Sequence, residues 1–464
     1  MSTLDFTFAP LAALACFAVY VWLLFKFPTG VIFIGFTTYG IAWTSFGGIN
    51  YARAVFALQL FSAIFFMFQV FKTMGTDRLV QFLGTKYSLF LWFLVFIWTK
   101  IGFDILYSGV DDFRTEGLKI FAQTVLLPAI VFFMAAVGSD PWRFATGIMV
   151  GMVAFAVAFV APTIPGMIAE GRLASSLFGI DRLTIYNMDT INGGRFFFMG
   201  VLGAMTLLIG GGFGRFGKFL LIALSVSFFV LLMLNGTRQY IIGVLVAGVM
   251  CSYSFIRTSG VLKFGLIAIV LGVAGYFSFN IFAAAEVTER FSGDSLSTEL
   301  AVSRGTIWLR VWEAGIEQPL TGMGFRRFGD VIMIAGQASD ADMVANLSGA
   351  HGFFQDVWAE HGAVLATIGF LLFGFSIYQM LIRIQVEQHS VVWAHYSALV
   401  GMVVPLFMSG AVFSSGAMYF LALSMYVVFA KHKIDQAQHH VAQIVAQRQA
   451  IDRKRELDVL MGRI

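Results

Sequence analysis

Arg238, Arg304 and His351 carry the side chains best placed for chemistry in this 464-residue chain. A guanidinium is planar, permanently charged and a multiple hydrogen-bond donor, so it suits a phosphate or diphosphate. An imidazole exchanges a proton near neutral pH, so His351 can act as a general base. Arg238 follows Asn235-Gly236-Thr237 and opens an apolar run. Arg304 precedes Ile307, Trp308, Val311 and Trp312, which share one helical face. His351 precedes a short amphipathic run, Phe353, Phe354, Val357 and Trp358. A second set of anion-binding candidates is Arg182 and Arg195, which flank Asp189-Thr190-Ile191-Asn192-Gly193-Gly194, and Arg326 and Arg327, which follow Gly322-Met323-Gly324. Each residue also has a plainer reading. A lone arginine at a membrane surface snorkels, and a histidine at a helix start is an ordinary polar cap. For His361, three residues after Trp358 and beside Gly362, the plainer reading is preferred.

Other clusters carry less. Asp111-Asp112 and Asp340-Ala341-Asp342 could bind a divalent cation with phosphate, but such pairs are common in loops. Lys100 and Asp104 stand four residues apart inside one apolar run and are expected to pair there rather than to relay protons. There is no phosphate-binding Walker loop, no His/Cys metal spacing and no Gly-x-Ser-x-Gly elbow, and no cofactor motif is recognised. Cys16 and Cys251 both fall in apolar runs and read as small buried hydrophobes.

The elements that must position these residues are membrane helices. The chain is 59% hydrophobic and 12% charged, with a mean hydropathy of +0.83. Soluble domains are about a quarter charged. Runs of this length point to helices rather than to the short alternating strands of a barrel. The fold class expected is all-α, a polytopic transmembrane bundle of 12–14 spans with a best count of thirteen. The apolar runs lie near 9–26, 31–47, 53–72, 87–105, 119–138, 143–162, 194–211, 216–234, 238–256, 262–283, 362–383, 391–412 and 415–431.

Charge sets the orientation. With the C-terminus cytoplasmic, alternate connections carry Lys26; Lys72, Arg78 and Lys86; Arg143; Arg215 and Lys218; Arg257 and Lys263; Arg383; and Lys431 with Lys433. The opposite connections carry Asp111, Asp112, Glu116, Glu170, Asp181 and Asp189. This is the positive-inside pattern. It places a large loop, 284–361, and a shorter one, 163–193, outside, and leaves His351 and His361 as the outer histidines. The expected organisation is N-terminal spans over 1–283, the large extracytoplasmic loop with its own helices over 284–361, C-terminal spans over 362–431, and an amphipathic cytoplasmic tail over 432–464. The tail is a partner or membrane-surface contact, or a solvated extension. A net charge of +4 reflects anchoring residues and does not call for nucleic acid.

The set Ser303-Arg304 with Ile307-Trp308, then Pro319-Leu320-Thr321-Gly322-Met323-Gly324-Phe325, then His351 with Gln355, Glu360 and Gly362, resembles the O-antigen ligase and polymerase superfamily. The resemblance covers the large loop and its flanking helices and extends weakly to Asn192-Gly193 and Thr237-Arg238. It implies a metal-independent, inverting glycosyltransferase of the bacterial inner membrane with its site facing the periplasm. The donor it implies is a glycan on undecaprenyl diphosphate, and the acceptor a growing glycan or the lipid A core. Arg238 and Arg304 would hold the diphosphate, and His351 would activate the acceptor hydroxyl or help bind the diphosphate. Arg182, Arg195, Arg326 and Arg327 would add substrate contacts. Membrane lipids, and for a polymerase a chain-length regulator, would be further partners. Polymerases of this kind carry an arginine and a glycine with ten residues between them in each of two outer loops. Arg182 with Gly193 and Arg304 with Gly315 meet that spacing, which favours polymerase over ligase. The chain departs from the commonest form in having Gly352 after the histidine.

Two other classes compete. A lipid-linked-oligosaccharide flippase would concentrate polar groups near the bilayer midplane, whereas polar residues here gather in one outer loop. A metal-dependent glycosyltransferase would use Asp111-Asp112 and lose activity with a chelator.

Overall fold

The computed structural model describes residues 141–177, 181–185, 190–210, 212–259, 305–324, 353–384, 390–408 and 439–457, with short pieces within 11–22, 96–104 and 459–461. Ten α-helices in this set are labelled here in chain order. They are α1 (Pro141–Val160), α2 (Ile164–Ala169), α3 (Arg172–Leu177), α4 (Thr190–Gly210), α5 (Arg215–Asn235), α6 (Arg238–Ser259), α7 (Gly305–Glu317), α8 (Phe353–His361), α9 (Ala363–Ile384) and α10 (Ser390–Met408). No strand occurs among the described residues. The thirteen-span count, Cys16 and the domain boundaries at 283 and 431 lie outside them.

Three stretches among the described residues are long and apolar enough to cross a membrane: Met149–Ala169, Gly193–Gly210 and Arg215–Asn235. The first outruns the expected 143–162 run. Pro162 and Pro165 do not end the helical path, although a proline inside a helix removes a backbone donor. Each sits in the first turn of a new helical piece, where that donor has no helical acceptor. The chain therefore continues as a 3-10 turn, Ala161–Thr163, and then as α2. Gly171 turns it into α3 with a positive φ of 69°.

Helix α4 is the centre of the bundle. Its apolar residues Phe196, Phe197, Phe198, Met199, Leu202 and Leu207 are all buried. It packs on α1, α5, α6 and α10. Against α1, Phe196 stacks on Phe159 at 4.0 Å. Further along, the backbone at Gly203 meets Met149 and Val153. The two helices are therefore antiparallel. Against α5, Gly200 leaves room for the Phe228 ring, which would lie 2.4 Å from an added Cβ. Helix α5 buries only that side, and Phe216, Phe219, Val226 and Val230 are exposed on the rest of it. An apolar face of this kind suits contact with lipid.

Helices α6 and α10 approach most closely through glycines. A Cβ on Gly243 would stand 2.7 Å from the Gly401 carbonyl, and one on Gly401 would stand 2.8 Å from the Ala247 Cβ. Pro405 lies inside α10 and leaves the Gly401 carbonyl without its usual helical donor. That carbonyl is the one Gly243 packs against. Small residues that let backbones touch are how helices associate where no hydrophobic drive separates protein from lipid. Lower in the same pair, Ser397 hydrogen-bonds the buried Cys251, so α6 and α10 are antiparallel.

The tail behaves as a helix over 439–457, and every residue described there is exposed. Its apolar positions Val441, Ile444, Val445, Ile451 and Leu457 are among them.

Candidate functional site

Two polar nodes stand where helices end. The first is built on Asn235-Gly236-Thr237, the link between α5 and α6. Gly236 takes a left-handed conformation, φ 67°, and its N–H reaches the carbonyls of Leu232 and Met233. This glycine cap ends α5. Asn235 is completely buried and is held from three sides. Its side-chain amide donates to the Leu183 carbonyl at 2.8 Å. Its side-chain oxygen accepts from the Thr237 hydroxyl. Its backbone carbonyl accepts from Arg182 Nε at 3.0 Å. The Leu183 N–H adds a bond to the Leu234 carbonyl at 3.1 Å. The extended segment 181–185 is thus pinned to the end of α5.

The first turn of α4 closes the node. A Cβ on Gly194 would meet the Asn235 side-chain oxygen at 2.5 Å and the Thr237 hydroxyl at 2.9 Å. Arg195 follows immediately and is only 4% exposed. Arg238 follows Thr237 and opens α6. Of the candidate arginines, Arg182 bonds the buried asparagine directly, while Arg195 and Arg238 each follow a residue, Gly194 and Thr237, that touches it. Arg182 devotes its Nε to structure, and Arg195 is inside the bundle rather than in an open loop. The positive end of the α6 dipole adds to the same locality. Asn235 and Thr237 were the residues that the sequence did not single out for this node. Their placement between a helix run and an arginine was the available signal.

The second node locks α7 to α8. Trp312 and Trp358 stack at 4.1 Å with planes 7° apart. The Trp358 indole N–H donates to the Trp312 carbonyl at 3.1 Å. Gly315 makes this possible, since its Cβ would stand 2.2 Å from the Trp358 ring. The turn after α7 then pairs with the end of α8. Met323 N–H donates to the Ala359 carbonyl at 2.8 Å, and Gly324 N–H to the Glu360 carbonyl at 3.3 Å. Val364 N–H, at the start of α9, donates to the Pro319 carbonyl at 2.9 Å. Gly322 and Gly362 have φ of 64° and 84°. A Cβ on Gly362 would lie 2.4 Å from the Gln318 carbonyl oxygen, and one on Gly322 would lie 2.3 Å from the Glu360 carbonyl carbon. The Pro-Leu-Thr-Gly-Met-Gly and Glu-His-Gly segments are thus two halves of one latch.

Lys100 reaches this latch from an N-terminal helix. Its ammonium pairs with Asp104 at 2.7 Å, as the four-residue spacing led one to expect, and donates to the Glu360 carbonyl at 3.2 Å. His361 beside it is fully buried. Burial pushes the imidazole down from 6.5 to about 3, the positive charge of Lys100 adds to this, and a backbone hydrogen bond to Val357 opposes it. Such a group is a structural histidine rather than an outward-facing base, in line with the plainer reading of it.

Arg304, His351, Arg326 and Arg327 lie outside the described residues, as do Asp111, Asp112, Asp340 and Asp342. Arg304 directly precedes α7 in the chain, and His351 lies two residues before α8.

Apolar spanning helices with polar, glycine-locked junctions at their ends define a membrane-embedded helical protein. Residues 222–374 match the O-antigen ligase family, which supports the O-antigen ligase and polymerase superfamily for this chain. The matched segment is about a third of the chain and includes Arg238, Arg304 and His351. No curated protein sequence matches the chain.

Proposed function

We propose that this protein is a glycosyltransferase of the O-antigen polymerase and ligase type, acting on the periplasmic face of the bacterial inner membrane. The observation that carries the reading is the O-antigen ligase match over 222–374, the segment that holds Arg238, Arg304 and His351. The donor is a glycan on undecaprenyl diphosphate. The acceptor hydroxyl oxygen attacks the anomeric carbon and forms the new glycosidic bond. The bond from that carbon to the diphosphate oxygen breaks, and undecaprenyl diphosphate leaves with the electron pair. The hydroxyl proton passes to His351. Arg238 and Arg304 bind the diphosphate and stabilise the charge that grows on it, a role that fixed donors in a partly dry site perform well. Attack from the face opposite the leaving group inverts the anomeric centre, and the arginines supply the charge that a metal would otherwise bring.

The acceptor is the next repeat unit, which makes the enzyme a polymerase. The two Arg–Gly pairs of matching spacing support this. One of their glycines, Gly315, is the position that seats Trp358, and Gly193 lies beside the Asn235 node. The second reading, a ligase that transfers glycan to the lipid A core, is favoured by the description of the matching family.

Deletion of the gene and analysis of surface glycans tests both. Single repeat units on lipid A indicate a polymerase, and polymer retained on the carrier lipid indicates a ligase. Complementation with Arg304→Ala or His351→Ala is expected to leave the protein in the membrane and to abolish the product. Full activity of both variants would remove these residues from the site, and loss of activity with a chelator would favour the metal-dependent alternative.

A further inference from the structure

We infer that Lys100, held by Asp104, is a positioning residue for glycan transfer, because its ammonium ties an N-terminal helix to the Glu360 carbonyl at the end of α8, the same carbonyl that takes the N–H of the turn after α7. The inference rests on the reading of the site just given. The Glu360 carbonyl receives two donors, Lys100 Nζ at 3.2 Å and Gly324 N–H at 3.3 Å. One oxygen is therefore shared by three parts of the chain that are distant in sequence. It belongs to the last turn of α8, where a helix leaves its carbonyls unpaired and favours a cation. Asp104 keeps the ammonium in place, and the two side chains are only 17% and 25% exposed. At that depth an ionic hydrogen bond is stronger than it is in water.

The clamp acts on the two helices next to the candidate reacting groups. Helix α7 begins directly after Arg304, and α8 begins two residues after His351. Trp312 and Trp358 stack the pair together, the Met323 and Gly324 N–H groups close its end, and the Lys100 bond anchors that end to an N-terminal helix. Loosening that end shifts α8 relative to α7. A displacement near 1 Å can cost about 100-fold in a reaction that depends on alignment. Lys100 lies outside the matched segment 222–374, so this is a contribution of the N-terminal half of the chain to the site.

The test uses membrane vesicles carrying the full-length protein, with lipid-linked glycan extracted from the producing strain as donor. Lys100→Met is expected to lower kcat by about 10- to 100-fold and to leave KM for the donor within about twofold. Lys100→Arg is expected to restore most of the turnover, because a guanidinium still donates to the carbonyl, and Asp104→Asn is expected to fall between. Should Lys100→Met fail to reach the membrane, Lys100→Gln and Asp104→Asn report the same split of kcat from KM. Unchanged kcat in these variants, or a rise in KM alone, would overturn the positioning role. The control is Arg238→Ala. Absent transfer by the wild type overturns the enzymatic reading itself, whereas normal turnover in Lys100→Met beside an inactive Arg238→Ala overturns only the inference about Lys100.

Discussion

Arg238 stands at the first residue of a helix and directly after Thr237, which is hydrogen-bonded to the buried Asn235, so its backbone has little freedom. On the proposed function its guanidinium would act on the diphosphate, and a donor fixed in advance stabilises a leaving group rather than only binding substrate. Arg238→Ala is expected to reduce transfer by about 100-fold or more, and Arg238→Lys to recover only part, since an ammonium lacks the planar fork. Rates measured in membrane vesicles check both. His361 gives the opposite kind of prediction. Its folded value of about 3 lies below its ordinary 6.5. As pH falls, the unfolded chain takes the proton first. The stability this buried neutral imidazole contributes is full above about pH 6.5 and is lost progressively toward pH 3. Thermal unfolding in detergent between pH 7 and pH 4 should show the midpoint falling, with a shallower slope in His361→Asn. Equal slopes would mean that His361 is not buried neutral.

At the level of elements, the latch between α7 and α8 depends on backbone geometry more than on side-chain chemistry. Gly362 has a positive φ and no space for a Cβ, because the Gln318 and Pro319 carbonyls lie against it. A left-handed conformation alone costs a non-glycine residue about 1–2 kcal/mol, and the clash adds to that. Gly362→Ala is therefore expected to lower the unfolding midpoint and to abolish transfer. Gly374→Ala in the same chain is the control, since nothing lies within 4 Å of an added Cβ there, and a helical alanine is favoured over glycine by about 1 kcal/mol. The sequence exposed much of this in outline. The helices α4, α5, α6 and α9 follow from hydropathy, and the Lys100–Asp104 pair follows from helical spacing. The partners of the glycines do not. Gly315 could be counted at its distance from Arg304, but its contact with Trp358 depends on how two helices meet. The Lys100 bond to Glu360 joins residues 260 apart and ends on a carbonyl, and every residue has one of those. Val311 and Trp312 were expected to share a face, yet Val311 is buried while Trp312 is half exposed and stacks on Trp358. Neighbours in sequence differ by about 100° around a helix, so a packing boundary can pass between them.

The arrangement of the whole molecule follows from which ends of the helices face which side. The node at Asn235 gathers the segment 181–185, the start of α4 and the start of α6 at one end of the bundle. The link between α4 and α5, around Gly214, is at the other end, because each of these helices is long enough to cross. Charge distinguishes the two sides, with Arg215 and Lys218 beside that link and Glu170 and Asp181 toward the node. The orientation expected from the positive-inside pattern has the Asn235 node and the latch outside, and Gly214 and the tail inside. Single cysteines introduced in a Cys16→Ser, Cys251→Ser background report this directly. Leu320, Gly214 and Val445 are all exposed and tolerate a small side chain. Leu320→Cys is expected to react with a membrane-impermeant maleimide in intact spheroplasts. Gly214→Cys and Val445→Cys are expected to react only after the membrane is opened. The reverse labelling would place the latch in the cytoplasm and would overturn the orientation together with the outward-facing site proposed on it.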